Sequence, residues 1–183
     1  QYFPNIAFKR ADQNGEGKYG KPYIYIKDIV TFLLNAKTDN FGIINSDILL
    51  KSKYEQISFL KRQLDSSVVF GSRMDVNTTN ESKGTLYKNW YNFFFFNRAT
   101  GLMFQDSEFC IGLPWWDIWF IVNVLIEGKK VKKLTSPFAY HCDHPATYSP
   151  QTWISLGMTF YKQIFRIINN TNCGSEALEN RKK

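Results

Sequence analysis

The sharpest chemical signal in this 183-residue chain is Asn45-Ser46-Asp47, a polar triplet ending in a carboxylate between the apolar runs Ile43-Ile44 and Ile48-Leu49-Leu50. Burying an unpaired carboxylate is costly, so Asp47 calls for a cation, a metal or a set of amide donors; a cap on the next turn is the plainer alternative. A second signal is His141-Cys142-Asp143-His144, which holds both histidines of the chain directly after an apolar segment. This tetrad lacks the second ligand pair of a structural zinc site. One of its histidines could still join a distant Asp around a divalent cation, against the alternative of two surface histidines in a loop. Third is Asp117 among Trp115, Trp116 and Trp119: desolvation there raises a carboxyl pKa toward values useful for proton transfer, whereas a helix N-terminal acid stabilised by the dipole is the structural alternative. Lys18, Lys21 and Arg73, each close to glycine, have the charge to hold a phosphate oxygen, although isolated cations in loops usually hold no ligand.

These residues need elements to position them. Residues 10 to 22 contain three glycines and a proline and read as a polar, basic loop. Ile29, Phe32, Leu33 and Ala36 share one helical face over Asp28 to Ala36, and Phe41 to Ile44 reads as a short buried strand. An Asp at the carboxyl end of such a strand lies where α/β sheets place their ligands. A helix over 54 to 64 and a strand over Ser67 to Gly71 follow, with Arg73 and Asp75 directly after. The stretch 76 to 88 is polar and reads as a mobile loop. Trp90 to Phe96 holds six aromatics in seven residues and predicts a buried strand. Residues 113 to 126 predict a helix entered after Pro114 and closed at Gly128. Val131 to Thr135 and Phe138 to His141 predict a last strand or two, and 151 to 168 a final amphipathic helix. The alternation argues an α/β domain over residues 1–169 and a polar tail or linker over 170–183, leading to further domains if the chain continues.

Composition narrows the class. The 23 Lys+Arg against 16 Asp+Glu give a net charge of +7, but Lys129, Lys130, Lys132, Lys133, Arg181, Lys182 and Lys183 account for all of the excess. A uniform nucleic-acid-binding face is not the first reading, and no nucleic-acid partner is expected. Hydrophobic content of 44% excludes general disorder. Three scattered cysteines form no disulfide framework and point to a reducing, cytoplasmic setting. No apolar run is long enough to span a bilayer, and Lys9, Arg10 and Asp12 interrupt any signal-peptide core.

Taken in order, Gly20-Lys21-Pro22, the triplet ending at Asp47, Phe70-Gly71-Ser72-Arg73-Met74-Asp75, the aromatic strand, Ile111 to Trp119 and the tetrad ending at His144 resemble a compact glycosyltransferase domain of the GT-A type. The resemblance runs from about residue 6 to 148 and is closest to GT-A-like domains in multidomain glycosyltransferases of large DNA viruses that infect algae, which implies a host-cytoplasmic setting. It implies a Rossmann-related, mixed, mainly parallel sheet flanked by helices, with the first βα unit lacking or abbreviated. It further implies Asp47 and His144 as ligands of Mn²⁺ or Mg²⁺, with Asn45 standing where the family has its first Asp. Asn45, Ser46, Arg73, Lys21, Lys18 and Asp12 would then contact the donor, Asp117 would serve as general base or orient the acceptor, and Trp115 and Trp116 would stack on a sugar. The function implied is transfer from a nucleotide-sugar donor, UDP-linked such as UDP-glucose or UDP-rhamnose, to a glycan acceptor. Two other readings stay open: a metal-dependent nuclease or phosphoesterase using Asp47, Asp75 and His144, and an inactive sugar-binding module.

Overall fold

Four consecutive phenylalanines set the layering. They form most of strand β5 (Phe93–Asn97), and successive side chains on a strand point to opposite faces. Phe94 and Phe96 pack with Ile26 and Val30 of helix α2 (Ile26–Leu34) and with Trp116 and Phe120 of helix α5 (Trp116–Ile126). Phe93 packs on the other face with Leu60 and Leu64 of helix α3 (Tyr54–Leu64). A strand covered on both faces reads as an unbroken apolar run, which is why no alternation marks this segment.

The computed structural model describes residues 9–52, 54–81, 83–104, 108–142, 144 and 148–170. Across them the chain is a mixed α/β fold. A short helix α1 (Glu16–Tyr19) precedes α2, and strands β1 (Asn40–Ile44), β2 (Ile48–Leu50), β3 (Ser67–Val76), β4 (Thr85–Leu86) and β6 (Lys130–Cys142) join β5 in one sheet. The order is β1-β5-β3-β6-β2, with β4 beside β3. Helix α4 (Arg98–Gly101) and a 3₁₀ turn (Leu102–Phe104) follow β5, and α6 (Pro150–Asn170) is the last described element.

The mixed α/β class agrees with expectation, but the strand directions differ from a mainly parallel sheet. β3 and β6 run parallel, whereas β1–β5, β2–β6, β3–β4 and β3–β5 are antiparallel. Parallel neighbours need a long crossover; α5 precedes β6, while β2 follows β1 after only Asn45 to Asp47 yet pairs with β6 at the other end of the strand order.

The two predicted late segments are one strand, β6. It is interrupted where Gly71 faces Leu134 but Arg73 already faces Ala139, an irregularity of the bulge kind. Helix 113 to 126 starts later, at Trp116, because Trp115 holds a left-handed φ of 78° at its N-cap. The aromatic strand starts at Phe93 rather than Trp90, and the loop 76 to 88 carries the short β4. Residues 171–183, most of the expected tail, lie outside the described residues.

Candidate functional site

Sheet register assembles the site. Asp75 of β3 pairs with His141 of β6 in the parallel ladder, and Ile48 of β2 pairs with His141 from the other side, which brings Asp47 alongside. The result is a chain of contacts. Arg73 Nε donates to Asp75 Oδ1 at 2.8 Å, the same oxygen meets His141 Nδ1 at 3.1 Å, and His141 Nε2 lies 3.4 Å from Asp47 Oδ2. His144 Nε2 reaches that Asp47 oxygen at 3.1 Å.

His141 is only 2% exposed, and its Nε2 has no hydrogen-bond partner. In the tautomer whose Nδ1–H donates to the Asp75 carboxylate, Nε2 carries its lone pair toward the Asp47 carboxylate, an arrangement relieved either by a proton on Nε2, which pairs the ring with both carboxylates, or by a cation between them. A carboxylate orienting a histidine in this way is the usual outer support of a metal ligand. Ligand atoms about 2.1 Å from an ion stand roughly 3.0 to 3.4 Å apart at octahedral to tetrahedral angles, and the Asp47–His141 and Asp47–His144 separations match this range. All three ligand atoms lie within 4.8 Å of one another. Asp47, His141 and His144 therefore fit a divalent cation, with Asp75 and Arg73 behind His141.

The cluster opens into a cleft of about 920 Å³ lined also by Asn45, Ser46, Tyr87, Trp90, Tyr91, Trp116, Asp117 and Tyr148. Asp117, in the first turn of α5, is 4% exposed and accepts the Tyr91 backbone N–H at 2.8 Å. Burial pushes its carboxyl up to about 6, against the opposing pull of backbone N–H donors at Tyr91, Ile118 and Asp117 itself. Both expected readings of Asp117 thus hold at once: it sits at a helix N-terminus and it is desolvated on a cleft wall. The Tyr148 hydroxyl is pushed up by burial first, then by Tyr87 and Asp117, and so stays a neutral donor. Arg73 lies 4.5 Å over the Tyr87 ring. Buried Oδ1 atoms of Asn45 and Asn92 lack hydrogen-bond partners and border the same space.

Of the residues singled out from sequence, Asn45, Ser46, Asp47, Arg73, Trp116, Asp117 and His144 meet on this cleft. Lys21 lines a neighbouring pocket of about 240 Å³ that shares Tyr23, Leu113 and Tyr148 with it. Lys18 sits over the Tyr19 ring at 5.3 Å, and Asp12 pairs with Lys9 at 3.9 Å; neither lines the cleft. Trp115 is turned away, its ring against Phe160 and Trp153 and its Nε1–H donating to the Trp153 carbonyl at 2.9 Å. Its aromatic contacts are packing ones, and Trp90 and Tyr91 line the cleft instead.

Sequence reasoning passed over His141 as a ligand and Asp75 as its support. His141 ends the apolar run Phe138 to Tyr140, the signal of a histidine buried on a strand, but its Asp75 partner is set by a pairing 66 residues away. No family model and no curated protein matches this chain.

Proposed function

We propose that the chain is a metal-dependent glycosyltransferase that moves a sugar from a nucleotide-sugar donor, UDP-linked, to a hydroxyl of a glycan acceptor. The observation that carries this reading is the buried His141 Nε2, without a hydrogen-bond partner and 3.4 Å from Asp47 Oδ2, grouped with His144 at one part of a cleft whose wall also holds a desolvated carboxyl, Asp117. A divalent cation on Asp47, His141 and His144 would supply positive charge for the diphosphate that leaves with the nucleoside. Two imidazoles beside one carboxylate favour Mn²⁺ over Mg²⁺, which prefers an all-oxygen shell.

The chain's own residues account for the rest. Asp75 holds the His141 tautomer, and Arg73 holds Asp75. Asp117 accepts from backbone N–H donors at Tyr91, Ile118 and its own amide, and its carboxylate takes the acceptor proton as the acceptor oxygen bonds to the anomeric carbon and the bond to phosphate breaks. A base of pKa about 6 is ionised at neutral pH yet stronger than an ordinary carboxylate. Trp90, Tyr87 and Tyr91 are residue types that stack on sugar rings and bases, whereas Trp116, 3% exposed and packed on Phe94, belongs to the core. The phosphoesterase alternative is weakened because Asp75, its second carboxylate, is already committed to Arg73 and His141.

The test is release of UDP from a UDP-sugar panel, UDP-glucose and UDP-rhamnose first, with Mn²⁺ and a mixture of glycan acceptors. Mn²⁺-dependent turnover that falls to background in Asp47→Ala is expected. Donor binding without turnover would mark an inactive sugar-binding module, and Mn²⁺-dependent cleavage of DNA or RNA would replace this reading with the phosphoesterase.

A further inference from the structure

Helix α6 has two apolar faces, and the fold uses one. Leu156 enters the core, Trp153 and Phe160 flank Trp115, and Gly157 lies against the same indole, where an added Cβ would come within 3.1 Å of the ring. On another side of the helix Ile154, Met158, Tyr161 and Phe165 recur at steps of four, three and four, which aligns them in one stripe. Each is more than half exposed. A helix on a globular surface ordinarily turns polar residues to water, and an exposed apolar stripe of this size marks a contact surface.

Charge chooses the partner. Lys162 and Arg166 border the stripe, and no acidic residue occurs from Pro150 to Asn170. Stacking two copies stripe to stripe would set these cations against each other with no carboxylate on the helix to pair them. Residues 171–183 add Arg181, Lys182 and Lys183 against Glu176 and Glu179, and their composition includes a single large apolar side chain, Leu178. Among the described residues no helix is long and apolar enough to cross a membrane; α6, with an exposed apolar stripe flanked by Lys162 and Arg166, has the patterning of a helix that lies in the plane of a bilayer surface. We propose that α6 docks the protein in the plane of an anionic phospholipid surface. Ile154, Met158, Tyr161 and Phe165 enter the headgroup boundary, and Lys162 and Arg166 reach the lipid phosphates on their aliphatic stems. This surface is independent of the donor cleft and does not rest on the transferase reading.

Co-sedimentation of the full chain with vesicles of phosphatidylcholine containing phosphatidylglycerol, against phosphatidylcholine alone, tests it. Binding to the anionic vesicles is expected to weaken in high salt and on neutral vesicles. It should fall roughly fivefold for each cation removed in Lys162→Gln and Arg166→Gln, and be lost in Met158→Glu/Phe165→Glu. The exposed cation variants keep the test valid if the apolar pair impairs folding. No binding to anionic vesicles overturns the proposal, as does a concentration-dependent dimer that Met158→Glu/Phe165→Glu dissolves.

Discussion

Asp117 is distinguished by its proton affinity. An ordinary Asp titrates near 3.8, and burial at the start of α5 lifts this one to about 6. The folded state therefore holds the proton more tightly than the unfolded chain, so the stability contributed by Asp117 is complete below about pH 4 and is lost as the pH rises through about 6. Asp117→Asn removes that dependence. Its stability relative to the parent protein, from urea unfolding, should rise by about 2 kcal/mol between pH 4 and pH 8; a flat difference would contradict the burial argument. In the same variant, donor turnover should be lost at every pH, whereas the parent's kcat/KM climbs through about pH 6 as the base ionises. Asp47 and Asp117 are legible in the sequence because each interrupts an apolar run, where a charge needs a reason, and His144 because it closes the tetrad that holds both histidines of the chain. His141 and Asp75 are less so, because their meaning comes from each other, and strand pairing at long separation leaves no local trace.

At the scale of elements, β5 is packed so tightly on its neighbours that two glycines are needed opposite its rings. Gly71 pairs with Phe93 and Gly42 with Phe95 across the ladders. A Cβ on Gly71 would fall 2.3 Å from the Phe93 ring, and Phe93 is itself held in tilted ring contacts with Phe95 and Phe138. Gly71→Ala should cost about 1 to 3 kcal/mol by overpacking. Gly17→Ala, in α1 with nothing within 4 Å of the added carbon, should be neutral or slightly stabilising. Equal melting temperatures for the two variants would contradict this packing. Hydrophobic period locates the elements well: α3 lies on the predicted 54 to 64. It says nothing of strand partners. The expectation of a mainly parallel sheet came from the GT-A resemblance, and the antiparallel β1–β5, β3–β5 and β2–β6 pairings depart from it.

At the scale of the molecule, four of the seven excess positive charges, Lys129, Lys130, Lys132 and Lys133, have a structural location that bears on function. Lys130 to Leu134 pair with β3 on one side, while β2 pairs with β6 only from Ala139 to His141, so among the described residues the other edge of this stretch is open. Lysines on an open edge oppose strand addition by a second molecule. Lys132 also donates to Gln63 Oε1 at 2.6 Å, and Lys133 lies 5.0 Å over the Tyr91 ring. The cluster thus belongs to the sheet edge, and on the proposed transferase reading the anion that matters to the cleft is the donor's diphosphate. Calorimetric titration of the protein with Mn²⁺, followed by UDP-glucose, tests this claim most directly. One saturable ion per chain is predicted, lost in Asp47→Ala and weakened about 10- to 100-fold in Asp75→Asn through the His141 tautomer, with donor binding dependent on the ion. Absence of saturable Mn²⁺ binding, or binding unchanged in Asp47→Ala, would contradict the account.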